Sequence, residues 1–328
     1  MIPLRVLLVE DVIEDVAPLQ RELARAGYAV ALERVETAEA MSMALCGQAW
    51  DVVLSDYKLR SFGAPEALRL CQQAGLDVPF IVVSGAIGED SAVDIMKAGA
   101  NDCVMKSRLS RLAAAVARGL GEAAVRRERK SAEERIRRSS VSLAETVGRA
   151  MEPRDPYTAG HQRRVAELSR LVGRRLGCSA AEQEGLYVGG LLHDIGKMAI
   201  PESILTKPGR LTPEEWGLVR EHVVVGCDVL RKADLPWPVA EMALRHHERL
   251  DGSGYPDGLK GDSLGFESRL LAVCNVVEAM SSHRPYRPAP GPAAVWEEMR
   301  TGRGRLYDAR MVDVLEDVIR CGEFRLMP

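Results

Sequence analysis

The sequence predicts an α/β domain, a doubly wound five-stranded parallel sheet, followed by an all-α domain. Three observations predict it. Five short apolar runs alternate with helical patterns from residue 1 to about residue 124. Strand signals are absent from about residue 138 onward, where amphipathic segments are separated by Pro- and Gly-rich loops. All six histidines lie between His161 and His283, so the two halves carry different chemistry.

The first run, Leu4 to Val9, is continuously apolar apart from Arg5, as a strand buried on both faces requires. Ile13, Val16, Leu19 and Leu23 then recur at helical spacing. Val30 to Val35 reads as a second strand, and Thr37 as the N-cap of a helix over 37–48. Val52-Val53-Leu54, Phe80-Ile81-Val82-Val83 and Cys103-Val104-Met105 are the remaining strands, with helical stretches between them.

Parallel sheets of this kind place their sites at the carboxyl ends of the strands. Those ends carry Glu10 and Asp11, then Asp56, Ser84 and Lys106. Clustered carboxylates are costly unless a hard cation neutralises them, and Mg²⁺ prefers such oxygen ligands. The bland alternative is that Asp56 is only a capping or solvated carboxylate. Five residue types in order at five strand ends are more specific than an isolated match. The arrangement resembles a response-regulator receiver domain over residues 3–122. The resemblance implies Asp56 as phosphoacceptor, Glu10 and Asp11 as the acidic Mg²⁺ pair, Ser84 as the switch hydroxyl and Lys106 as the conserved-type lysine. It further implies a cognate histidine kinase as partner. Two positions depart from the pattern: Ser107 follows Lys106 in place of proline, and Cys103 stands where an aromatic switch residue is usual.

From Leu109 to Met151 there is no proline, and the segment is rich in Ala, Arg, Glu and Leu, all good helix formers. Its middle, residues 125–137, reads as a helical linker between domains at 1–124 and 138–328. The run Arg126-Arg127-Glu128-Arg129-Lys130 suits a solvated connector with Arg–Glu pairs at helical spacing better than a nucleic-acid or membrane surface.

In the second half, His161, His222 and His247 fall on the apolar side of their segments, with His193-Asp194 after Gly189-Gly190-Leu191-Leu192 and His246 beside His247. One buried histidine is ordinarily a hydrogen-bonded core residue. Five inward histidines on four helices, with an aspartate, carry a desolvation cost that a shared metal removes. Imidazole and carboxylate without thiolate suit Fe, Mn or Zn. Asp194 is placed to bridge two ions, which at roughly 3.5–4 Å apart would activate a water and stabilise charge on a phosphoryl centre.

His193-Asp194-Ile195-Gly196-Lys197, followed by His246-His247-Glu248-Arg249-Leu250-Asp251-Gly252-Ser253-Gly254-Tyr255-Pro256, resembles the signature of HD-GYP domains. The similarity runs over residues 140–328 and includes His222 and Arg284-Pro285-Tyr286-Arg287. It implies an α-helical, metal-dependent phosphodiesterase acting on cyclic di-GMP, with pGpG or GMP as product. By the resemblance, His161, His193, Asp194, His222, His246, His247 and Asn275 occupy metal-ligand positions, with Fe or Mn the expected pair of ions. The resemblance likewise implies Asp194 and Lys197 as the catalytic residues and Lys197, Arg284 and Arg287 as contacts to substrate phosphates. A homodimer and diguanylate cyclase (GGDEF) partners are further implications. Asn275 stands where the family has an aspartate, and a neutral amide oxygen binds a cation less tightly. Glu278 replaces a second aspartate and compensates only if its longer arm reaches inward. Tyr157 stands where three-metal members carry a glutamate, so two ions at most are expected. His283 is expected to be exposed. The altered ligand motivates a second reading, a nucleotide-binding or protein-docking adaptor without turnover.

Composition bounds the alternatives. Apolar residues are 46% and charged residues 28% of 328, which excludes wholesale disorder. Lys plus Arg total 44 and Asp plus Glu 47, a net charge of −3, so direct DNA binding through bulk charge is not expected. The N-terminus has no basic start followed by an apolar leader, and there is no run of about 18 apolar residues to span a membrane. Seven cysteines without a C-x-x-C pattern read as buried thiols, and the expected location is the cytoplasm.

Overall fold

The structure, a computed structural model, describes residues 1–60, 62–151, 160–207, 209–282 and 291–325. The chain divides into two compact units, Met1–Glu134 and Arg135–Pro328.

In the first unit the strands are β1 (Ile2–Val9), β2 (Tyr28–Val35), β3 (Val52–Ser55), β4 (Phe80–Ser84) and β5 (Asp102–Met105). They form one parallel sheet in the order β2-β1-β3-β4-β5. The helices are α1 (Val16–Arg25), α2 (Ala38–Gly47), α3 (Ala64–Gln73), α4 (Glu89–Lys97) and the start of α5 (Leu112–Met151). Strand alternation sorts the core into two layers. Leu7, Val9 and Val53 pack on one face with Met41 of α2, Leu68 of α3 and Ile95 of α4. Val6, Leu8, Val52 and Leu54 pack on the other with Leu19 and Leu23 of α1 and Leu112 and Val116 of α5. The register pairs Val9 with Ser55 and Ser84 with Met105, so the strand ends finish at one edge. Thr37 caps α2 as expected, its hydroxyl accepting from the Ala40 amide at 3.2 Å. Ile13 is not on the buried stripe. It lies in a 3-10 turn, Ile13–Asp15, and is 64% exposed, because α1 begins only at Val16.

The helix α5 runs unbroken for 40 residues across the boundary between the units. Arg129 pairs with Glu133 at 2.8 Å as helical spacing requires, while Arg126 reaches across to Asp77 at 2.8 Å. The second unit continues with α6 (His161–Arg175), α7 (Ala180–Leu192), α8 (Glu202–Leu205), α9 (Pro213–Arg220), α10 (His222–Arg231), α11 (Val239–Arg245), α12 (Phe266–Ser281), α13 (Pro292–Gly302) and α14 (Ala309–Arg320). Among its described residues there is no strand. Val165 and Leu168 of α6, Leu186 of α7 and Leu270, Leu271 and Val277 of α12 share one core with α14. The α6–α7 crossing depends on Gly190, where a Cβ would run into the Ala166 backbone.

Among the described residues no helix is long and apolar enough to cross a membrane. The seven thiols are unpaired, but they are not all buried: Cys46 and Cys321 are exposed, one at the outer end of α2 and one just past the end of α14.

Candidate functional site

The strand-end cluster of the first unit centres on Lys106. Its Nζ donates to Glu10 Oε2 at 2.7 Å, Asp15 Oδ2 at 2.6 Å and Asp56 Oδ2 at 2.7 Å. Burial alone would lower the ammonium pKa, but hydrogen bonds to Asp15, Asp56 and Glu10 outweigh it and hold the group above the usual lysine value. Glu10 is buried and its carboxyl is pushed up by desolvation, partly offset by Lys106 and the Val12 amide. Ser84 Oγ donates to the Ala86 carbonyl at 3.3 Å. Asp11 does not share Lys106; it faces Arg60 at 3.6 Å. Asp15 joins the lysine instead, a residue that strand-end reasoning passed over because it sits on the 3-10 turn after β1. The signal for it was the surplus of acid in Glu10-Asp11-Val12-Ile13-Glu14-Asp15.

In the second unit, His161 is the first residue of α6, His222 the first of α10, and His193 and His246 stand at the C-caps of α7 and α11. His193, His246 and His247 therefore lie at or just past helix ends, rather than on helix faces as expected from spacing. The reason lies in the unpaired carbonyls of a last turn. His193 Nδ1 donates to Gly190 O at 2.8 Å and His246 Nδ1 to Ala243 O at 2.8 Å. His222 Nδ1 does the same to Val219 O of α9 at 2.5 Å. Each bond holds the proton on Nδ1 and turns the Nε2 lone pair inward.

Those nitrogens converge on Asp194. Its Oδ2 lies 3.4 Å from His193 Nε2 and 4.0 Å from His161 Nε2, and its Oδ1 lies 3.4 Å from His222 Nε2 and 3.9 Å from His246 Nε2. His247 completes a group with His222 and His246; His161, His193 and Asp194 form another. Gly196 makes this approach possible, since a Cβ there would strike the His222 carbonyl. Lys197 Nζ donates to Asp194 Oδ2 at 2.7 Å.

The electrostatics suit a cation. Burial pulls His193 down to about 4, and burial with neighbouring imidazoles holds His246 and His247 well below the usual histidine range. Burial would raise the Asp194 carboxyl, but Lys197 and the adjacent histidines hold it well below its ordinary value. His193, His246 and His247 are thus held neutral beside an ionised Asp194 carboxylate, the protonation states that bind metal. His193 Nε2 is buried with no hydrogen-bond partner, an expensive state that a ligated cation resolves. The donor set therefore fits two divalent ions.

Asn275, 6% exposed on α12, lines the same hollow as His161 and Asp194. Glu278 does reach inward, but to the far side of His161. One carboxylate oxygen accepts from His161 Nδ1 and the other from Arg164 Nε at 2.5 Å and Ser282 Oγ at 2.7 Å. Burial would raise its pKa; His161, Ser282 and Arg164 hold it at about 2. Glu248 is buried and accepts from the amides of Asp257, Gly258 and Leu259 at 2.8, 3.1 and 3.2 Å, closing the Gly-Tyr-Pro loop. Tyr255 of that loop stacks on His247 with ring centres 4.7 Å apart. Tyr157, His283, Arg284 and Arg287 lie outside the described residues.

Fold and site together define a class: a receiver domain joined to a helical domain of the HD type. A response regulator receiver domain model matches residues 6–117 and an HD domain model residues 145–311, and the chain belongs to the family that joins the two. The chain is similar to the cyclic di-GMP phosphodiesterase response regulator RpfG of Xanthomonas campestris pv. campestris, 32% identical over 94% of this chain and 83% of that protein. It is also 34% identical to the 3'3'-cGAMP-specific phosphodiesterase 2 of Vibrio cholerae, over 55% of this chain and 35% of that protein. Among solved structures, Bd1817, described as an HDG"Y"P protein from Bdellovibrio bacteriovorus, aligns with a TM-score of 0.42 and 20% identity, covering 49% of this chain and 51% of that one.

Proposed function

We propose that the chain is a response regulator whose helical domain hydrolyses cyclic di-GMP, to pGpG or GMP, under control of phosphorylation at Asp56. The observation that carries the hydrolase reading is the single carboxylate of Asp194, with one oxygen facing His161 and His193 and the other facing His222 and His246. In this reading His161, His193 and Asn275 hold one ion, His222, His246 and His247 hold the other, and Asp194 serves both. Divalent ions, Fe or Mn by ligand type, supply Lewis acidity and water activation when bound. The chain supplies the rest. Nδ1 hydrogen bonds orient the imidazoles, the Asp194 carboxylate stays ionised, and the Lys197 ammonium stands where a phosphodiester's negative charge is received. Arg284 and Arg287 add phosphate contacts. In the receiver domain, Glu10, Asp11 and Asp56 take Mg²⁺, a histidine kinase is the phosphodonor, and Ser84 and Lys106 hold the phosphoryl oxygens.

The similarity to RpfG along 94% of the chain supports cyclic di-GMP as substrate, and the similarity to the Vibrio cholerae enzyme makes 3'3'-cGAMP the competitor to test beside it. The experiment is turnover of both dinucleotides by protein loaded with Fe²⁺ or Mn²⁺, with products separated by chromatography, beside Asp194→Asn. Hydrolysis by the wild type and its loss in the variant is the expected result. Asn275 favours the adaptor reading, which nucleotide binding without turnover in either metal would establish. Asp56→Asn protein that matches phosphorylated wild type in activity and oligomeric state would refute the phosphorylation control.

A further inference from the structure

The hollow over the metal ligands, about 380 Å³, does not end at them. Trp216, His247 and Tyr255 form a wall shared with a second hollow of about 580 Å³, whose far side is Leu211, Pro213 and Arg220. Trp216 stands on α9 with half its surface exposed, 50%, although a tryptophan of no function would cost less packed inward. Arg220, one turn further along α9, holds its guanidinium over the Tyr255 ring at 5.0 Å and has no carboxylate partner among the described residues. Tyr255 in turn stacks on His247. The lobe thus joins the metal hollow through aromatic rings and is lined by a half-exposed indole and by a planar cation that has no carboxylate partner among the described residues.

We propose that this second lobe is a guanine subsite: a base of the bound cyclic dinucleotide stacks on Trp216 while Arg220 reads its Hoogsteen edge. The inference rests on the phosphodiesterase reading for the position of the scissile phosphodiester. Indole–base stacking is indifferent to base identity, because every base has a π-face. Discrimination falls to Arg220. Guanine offers two acceptors, O6 and N7, to the fork of a guanidinium, whereas adenine offers one acceptor and one donor. The lobe therefore selects guanine over adenine.

The test uses the full chain as wild type, Trp216→Ala, Trp216→Phe and Arg220→Gln. Calorimetry measures affinity for phosphorothioate analogues of cyclic di-GMP and cyclic di-AMP, which resist hydrolysis. Kinetics on Mn²⁺-loaded protein compare cyclic di-GMP with bis(p-nitrophenyl) phosphate, a diester without bases. Trp216→Ala is expected to weaken the guanine analogue roughly 5- to 150-fold and Trp216→Phe to restore most of it. Arg220→Gln is expected to collapse the preference for guanine over adenine. The kcat/KM for cyclic di-GMP should fall further in both than that for the baseless diester. Affinity within twofold of wild type in Trp216→Ala overturns the subsite, as does an equal loss on both substrates. A wild type that binds both analogues alike overturns the role of Arg220. If the wild type hydrolyses neither diester, the phosphodiesterase reading fails, while analogue binding lost in Trp216→Ala would still uphold the lobe.

Discussion

Asn275 and Glu278 stand one helical turn apart on α12 and take different roles at the same histidine. Asn275 lines the hollow over the proposed metal ligands with a neutral amide, and Glu278 backs His161 from behind. Substituting Asn275→Asp adds charge to the hollow that is proposed to hold a cation. The expected result is higher metal content per chain after gel filtration, read by elemental analysis, and affinity at least about tenfold tighter. Equal content in both proteins would mean that the amide costs the site nothing. Glu278→Gln removes the charge that orients His161 and pairs with Arg164. It should weaken metal binding about 10- to 100-fold in a chelator competition, without removing a ligand. It should also lower stability by about 2 kcal/mol, less than for a wholly dry pair because the Arg164 side chain is 21% exposed. Thermal unfolding of metal-free protein separates the two effects. Spacing along the chain identified the histidines, but it left open whether Glu278 reached the cation or its ligand.

At the scale of elements, the candidate metal site is a property of helix ends. The imidazoles of His193 and His246 satisfy carbonyls of α7 and α11 that would otherwise be unpaired, so the side chains that cap these helices are the ones proposed to ligate metal. The turn after α7 can approach α10 only because residue 196 has no side chain. Gly196→Ala is expected to cost about 1–3 kcal/mol of stability through overpacking and to weaken metal binding along with it. A variant that unfolds at the wild-type temperature would show that α10 yields easily. Thiol chemistry reports on packing of the elements independently. Burial pushes Cys71 on α3 and Cys274 on α12 up to about 12, so at pH 8 roughly one molecule in ten thousand is thiolate at either position. Iodoacetamide at pH 8 should therefore label exposed Cys46 and Cys321 first, and Cys71 and Cys274 only after unfolding, as mass spectrometry of digests would read. Native labelling of Cys274 would mean that α12 is not packed as described.

At the scale of the molecule, the two units have separate cores and separate chemistry. Calorimetry with Mg²⁺ in excess throughout is expected to show two unfolding transitions, of which added Mn²⁺ raises only the one belonging to the helical unit. At a free concentration about 100 times the dissociation constant the gain is about 2.7 kcal/mol, and a chelator should reverse it. A Mn²⁺-dependent shift of both transitions, or of neither, would count against the histidine site as the metal's place.

The sequence by itself determined the two domain classes and their order, the five strands, the helical second unit and the identities of the histidines and of Asp194. These are legible because strand alternation, helical spacing and signature runs such as His193-Asp194 are relations among near neighbours in the chain. The tertiary structure alone decided that Asp15 rather than Asp11 shares Lys106, that the two oxygens of Asp194 face different histidine pairs, and that Glu278 supports His161. Each of those is a meeting of side chains on different elements, His161 and Glu278 being 117 residues apart. Packing of whole helices and strands, down to the missing side chain of Gly196, sets such distances, and no local pattern encodes them.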